Sequence, residues 1–398
     1  MRPSGRRARF LAAACLLAAG ALAAPLRARA MSDEDAALVK KGENALYNCD
    51  YDGADALFGD ALKERPADPV LALGAAVSAW WRMENDLSLP GSPEEKIFLS
   101  KIGNSIAVTK AARKTASGDD AAEDSLYLGA AYGLRGRWEA SRKHWISAYF
   151  DGRRAYKYGR RAIARDPELY DAYLGLGAFD YYLATLSHLI RVLAFAGHGG
   201  KAKGLAELEL ASRKGRFSGD AAKLLLVGIE WTFEKKPENA WSLLDVLHER
   251  YPDSPLIDSM RLIGLFHLRD GEELKTQARA FLADVENKKP FYRPIDAAGA
   301  YYFLGVGEQL LGESEDALRH YRAGLALAPD GQRVRSLLWL AVGEAQDLLG
   351  RRDAAKDSYR QALRENPLWG VPRYARFLIK HPFRPGANPL PGRNDALQ

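Results

Sequence analysis

Cysteine is nearly absent from this chain: its 398 residues contain only Cys15 and Cys49. Cys15 lies in an N-terminal stretch with the marks of a removable leader, which leaves Cys49 alone and excludes a disulfide framework. Histidine is sparse too. None of the seven, at 144, 188, 198, 248, 267, 320 and 381, has a partner at the i, i+4 spacing of a helical zinc site, and His-Glu-x-x-His is missing. A Gly-x-Ser-x-Gly nucleophile elbow is also missing, and Cys49 has no evident catalytic partner. The Gly-rich run Gly197-His198-Gly199-Gly200-Lys201 invites a phosphate-loop reading. However, Phe195 stands where a Walker loop needs Gly, and Ala202 where it needs Ser or Thr. No catalytic residue, metal or cofactor is therefore expected.

An excess of charge is lacking too, once the first thirty residues are set aside. Arg2, Arg6, Arg7 and Arg9 precede an apolar, Ala- and Leu-rich run from Phe10 to Leu26, and Ala28-Arg29-Ala30 gives a small-x-small cleavage site. This is the pattern of a secretory signal peptide spanning residues 1–30, with cleavage near Ala30 and export to the bacterial periplasm as the implied address. The run is short for a membrane span and contains Pro25. The whole chain carries 57 basic and 51 acidic residues, but six of the arginines and no acid lie in residues 1–30. The remainder is formally neutral, and nucleic acid loses its electrostatic motive as a partner. Local basic clusters persist at Arg153-Arg154, Arg160-Arg161 and Lys201 to Lys203, and read as solvated helix faces.

What the chain does have is a repeat. Trp339, Val342-Gly343, Gly350, Ala355, Tyr359, Ala362 and Pro367 are spaced as two antiparallel helices. Gly343 and Ala355 allow close approach, Gly350 permits the turn, and Pro367 ends the second helix. The same spacing occurs 38 residues earlier in Tyr301, Leu304-Gly305, Gly312, Ala317, Tyr321 and Pro329. The best units span 34–66, 122–150, 221–252, 298–329 and 336–367. Against that frame, residues 92–118 read as an insertion, and the helix from Trp138 to Ala164 as one long element.

These units resemble the tetratricopeptide repeat (TPR) superfamily, whose pattern is W-x2-L-G-x2-Y, A-x3-F and a closing Pro. The resemblance implies an all-α fold, a right-handed α-solenoid of stacked helical hairpins with irregular central helices, over residues 31–381. A disordered Pro-rich tail, 382–398, follows. Leu174-Gly175-Leu176-Gly177, a tyrosine cluster, the Gly-rich break and Gly204-Leu205 are similar to a group of exported bacterial TPR proteins without an assigned reaction.

In TPR geometry the first helix of each hairpin lines a concave groove. That places Tyr302, Gln309, Glu344 and Asp347 in the groove, with Tyr181 and Tyr182 nearby. Val306 and Glu344 occupy slots where a carboxylate-clamping groove needs Asn, so that use is not expected. The expected role is a non-enzymatic exported scaffold for protein–protein interaction in the cell envelope, with a protein or peptide ligand. The alternative is a glycan- or peptidoglycan-associated assembly module, since flat aromatic faces pack on sugars. The apolar segment Leu183 to Ala196, too short to span and carrying Arg191, suggests a peripheral membrane contact.

Overall fold

A computed structural model describes residues 31–85, 90–185, 200–329, 333–365 and 370–386. The leader at 1–30, most of the Leu183–Ala196 segment, residues 197–199 of the Gly-rich break, Pro367 and the tail beyond 386 lie outside the described residues. Among the described residues there are helices and no strands. In order they are α1 (Asp33–Tyr47), α2 (Tyr51–Glu64), α3 (Pro69–Asn85), α4 (Pro93–Ala112), α5 (Gly118–Ser141), α6 (Trp145–Arg165), α7 (Ala172–Thr185) and α8 (Lys201–Lys214). Then come α9 (Gly219–Ile229), α10 (Pro237–Arg250), α11 (Pro255–Leu268), α12 (Gly271–Glu286), α13 (Ala297–Leu310), α14 (Ser314–Leu327), α15 (Arg333–Leu348), α16 (Arg352–Arg364) and α17 (Val371–Lys380). Consecutive pairs, from α1–α2 to α15–α16, form eight hairpins, and α17 closes the stack. Each helix packs mainly on its sequence neighbours, as in a TPR-like α-solenoid.

The sequence dictates both the ends and the closeness of these hairpins. Ser32, Asp50, Ser92, Ser254 and Asp270 cap their helices, each side chain accepting a backbone N–H that the first turn leaves free. In three hairpins a glycine on the first helix faces an aromatic ring on the second, always sixteen residues later: Gly42 and Phe58, Gly305 and Tyr321, Gly343 and Tyr359. A Cβ added at these glycines would sit 2.4 to 2.5 Å from the ring. All three rings are at most 2% exposed. The central hairpins bring backbones together instead. A Cβ at Gly177 would meet the Gly204 carbonyl oxygen at 2.7 Å, so α7 and α8 pack through bare backbone.

Two sequence-based expectations are corrected here. Residues 92–118 are no insertion: α4 is the second helix of hairpin two, its Phe98 and Ile102 buried beside Trp80 and Leu128. Nor is 138–164 one helix. The chain turns at Arg142–His144, where Lys143 adopts a left-handed φ of 62° and the His144 N–H reaches back to the Glu139 carbonyl. Such a turn usually advertises itself with glycine, and here the residue is lysine.

The stack also folds back on itself. The Tyr47 ring, at the end of α1, lies 5.0 Å from that of Tyr251, between α10 and α11. Tyr47, Leu247, Tyr251 and Ile257 share one buried cluster with Trp81 packed against it. The Ser254 hydroxyl caps α11 and also donates to the Tyr47 carbonyl, 207 residues away. Hairpins one to five thus close into a ring, and hairpins six to eight extend from it as an arm.

Candidate functional site

The residues expected in the groove divide into two places. Tyr181 is fully buried against Leu208, Leu226 and Ile229, and its hydroxyl donates to Glu234. Tyr182, 38% exposed, lies with its ring edge on Tyr181 and Phe233. The other four are brought together in the arm, where three are shut off from solvent. Tyr302 is 4% exposed and packs beside Tyr321, whose hydroxyl donates to Gln309 at 3.2 Å. Gln309 is half-buried. The Asp347 carboxylate, with no exposed side-chain surface, accepts from Arg352, from the Tyr359 hydroxyl at 2.8 Å and from the Phe383 N–H at 2.8 Å.

Glu344 has zero exposure, and the Gln309 amide beside it offsets only part of the cost of burying its carboxylate. Burial pushes its pKa far above the ordinary carboxylate range, and the Asp347 charge adds to the effect. The placement of Tyr181, Tyr302, Glu344 and Asp347 in an open groove is therefore corrected. The repeat frame points them inward, but tyrosine hydroxyls from the second helices and the returning segment at Phe383 satisfy or cover them.

A different constellation lies open where the ring closes. A cleft of about 130 Å³ is lined by Lys40 of α1, Ser212 and Arg213 at the end of α8, Arg216 and Phe217 in the following link, Asp220 and Lys223 of α9, and Arg250 of α10. Five of these side chains are cations and one is an anion. The link is held by Asp171, whose Oδ1 accepts the backbone N–H of Phe217 at 2.8 Å and of Ser218 at 2.7 Å. Asp220 is itself fully engaged by Lys223 at 2.9 Å, Arg250 at 3.0 Å and the Tyr251 hydroxyl at 2.8 Å. Burial alone would raise its pKa, but these bonds outweigh burial and hold the carboxyl below the usual range.

Asp220 thus pairs with two of the five cations, neutralising one charge, and the other three stand at the mouth. Lys40 lies over the Phe217 ring at 5.2 Å and pairs with Glu43 at 2.9 Å. Burial pushes the Glu43 pKa up to about 7 against that pairing. Arg213 is 68% exposed and reaches Glu209 only at 3.6 Å. Arg216, stacked on Phe217, has no ion-pair partner among the described residues. Such a cleft suits one carboxylate or other anionic group, held by charge and by the guanidinium forks. Sequence reasoning missed it because its lining comes from residues 40, 212–223 and 250. The basic character of Lys40 or Arg250 taken alone carries no signal.

No family model matches the chain, and no curated protein matches it. Among solved structures it is similar to a Rap protein crystallised in complex with competence and sporulation factor. The identity is 13%, with 84% of this chain and 77% of that one covered, at a TM-score of 0.40. A likeness that remote carries nothing about ligand or role.

Proposed function

We propose that this chain is an exported, non-catalytic repeat scaffold that binds an acidic segment of a protein partner in the cell envelope. The observation that carries this reading is the cleft at the ring closure, where five cations against one acid line an opening sized for one acidic side chain. The rest of the bound segment would run over the adjoining helix ends. The glycan reading has less support, because Tyr47, Tyr51, Tyr127, Tyr132, Tyr251 and Trp80 are spent on packing rather than exposed as flat faces.

Calorimetric titration of residues 31–398 with acidic, neutral and basic peptides of equal length tests the binding. The acidic peptide should bind most tightly, and the charge reversal Arg213→Glu/Arg216→Glu should weaken it roughly a hundredfold, with binding fading as salt rises. Equal affinity for all three peptides, or an unaffected double variant, would overturn the assignment. Export is tested separately, by cell fractionation and N-terminal sequencing. A periplasmic chain starting just after Ala30 supports it, and a cytoplasmic chain retaining Met1 contradicts it.

A further inference from the structure

The outward face of α6 differs from those of the other second helices. On an α-helix, Ile146, Phe150, Arg153, Lys157 and Arg160 fall along one stripe, opposite the buried Asp151, Ala155, Gly159 and Ala162. The N-terminal end of this stripe is apolar and open: Ile146 is 76% exposed, Phe150 49%, and the neighbouring Trp145 57%. No other six-residue window among the described residues exposes three large apolar side chains. The C-terminal end is cationic. Arg154 pairs with Asp151, but Arg153, Lys157 and Arg160 have no ion-pair partner among the described residues.

The equivalent helix α16 is an internal control. Its outward face alternates sign, with Asp353 paired to Lys356 and Asp357 to Arg360, and none of its large apolar residues is exposed. A merely solvated face looks like α16. On the outward face of α6 acids are missing, and a tryptophan, an isoleucine and a phenylalanine take open positions.

We infer that the α6 face docks on an anionic bilayer surface. The apolar end would enter the interface, where tryptophan is favoured, and the cations would meet lipid phosphates. Charge complementarity alone would serve a nucleic acid equally well. Phosphate contacts, however, leave Ile146 and Phe150 exposed to water, whereas a bilayer covers them. No helix among the described residues is long and apolar enough to cross a membrane, so the contact is peripheral. The inference stands apart from the cleft, which uses none of these residues.

Co-sedimentation of residues 31–398 with vesicles tests it, using phosphatidylglycerol-rich vesicles against pure phosphatidylcholine. The wild type should bind the anionic vesicles and release them as salt rises. Ile146→Ser/Phe150→Ser and Arg153→Glu/Lys157→Glu should each weaken binding roughly tenfold or more. Both pairs are exposed, and an unchanged circular dichroism spectrum verifies the fold. Quenching of fluorescence by nitroxide-labelled lipid should drop in Trp145→Phe, and undiminished quenching there would overturn the inference. The inference is overturned if the wild type stays in the supernatant, binds both vesicle types equally, or binds undiminished in either double variant. It is also overturned if single-stranded RNA binds more tightly than the anionic vesicles and the Ile146→Ser/Phe150→Ser variant keeps that RNA affinity.

Discussion

In the arm, hairpins six to eight hold together by contact between sequence neighbours. One large cluster runs from Leu262 to Ala345, and α17 with the returning Phe383 closes its end over Leu340 and Tyr359. In the ring, the first hairpin is covered instead by residues 200 positions further on, through Tyr47, Tyr251 and the Ser254 hydroxyl. Both are answers to one physical problem, since a stack of hairpins exposes an apolar face at each end. A terminal helix solves it locally. Docking on a distant hairpin solves it at a seam, and the polar residues that meet there line a cleft. The regular part of the chain thus packs on its sequence neighbours, and the closed part is the one that carries the cleft.

The largest expected effect breaks the arm. Gly343→Val places its Cβ against the Tyr359 ring, which is itself pinned by its bond to Asp347. It should destabilise the arm by about 3 kcal/mol, read as a loss of denaturation midpoint. Tyr47→Ala breaks the seam instead. Removing a buried ring packed against Tyr251 should cost about 3 kcal/mol in docking of the first hairpin. Hydrogen exchange should then speed up in α1 and α2, and leave α13 to α16 at their wild-type rates.

The two regions also differ in how they respond to pH. Glu344 has a folded-state pKa well above its unfolded value, so its contribution is fully present below about pH 4.5 and is lost as pH rises. Glu344→Gln should match the wild type at pH 4 and exceed it by about 1 to 2 kcal/mol at pH 8 in urea titrations. Glu43 acts with the same sign over a narrower window. Its stability contribution fades between its unfolded value of 4.5 and its folded value of about 7. Exchange in α1 should therefore rise between pH 5 and pH 8 more than protein-wide base catalysis explains. Glu43→Gln should remove that excess, which is the smallest of the four effects.

The arm was the more legible part of the sequence. Gly343, Ala355 and Tyr359, with Gly305, Ala317 and Tyr321, carry their packing partners at fixed offsets, so a local pattern records the contact. The same frame misled at Tyr302, Glu344 and Asp347. It tells which side of a helix is concave, but not that Arg352, Tyr359 and Phe383 converge on that side. The seam was illegible for a simpler reason: Tyr47 and Ser254 are joined by geometry accumulated over five hairpins, and no spacing encodes it. The α5–α6 break lacked its glycine, and α4 buries Phe98 four residues before Ile102, where α16 buries Ala355 four before Tyr359.

The closure of the ring is the claim on which the cleft depends, and the native thiol provides a direct measurement. Cys49 follows α1 and is turned toward the backbone of Leu256. In residues 31–398 carrying Leu256→Cys it is one of only two thiols. Mild oxidation should join the two into a disulfide, giving faster migration on a non-reducing gel, and Tyr47→Ala should slow the reaction. A chain that keeps two free thiols, or forms only intermolecular dimers, would show that the first hairpin does not dock on α11 and that the cleft does not form.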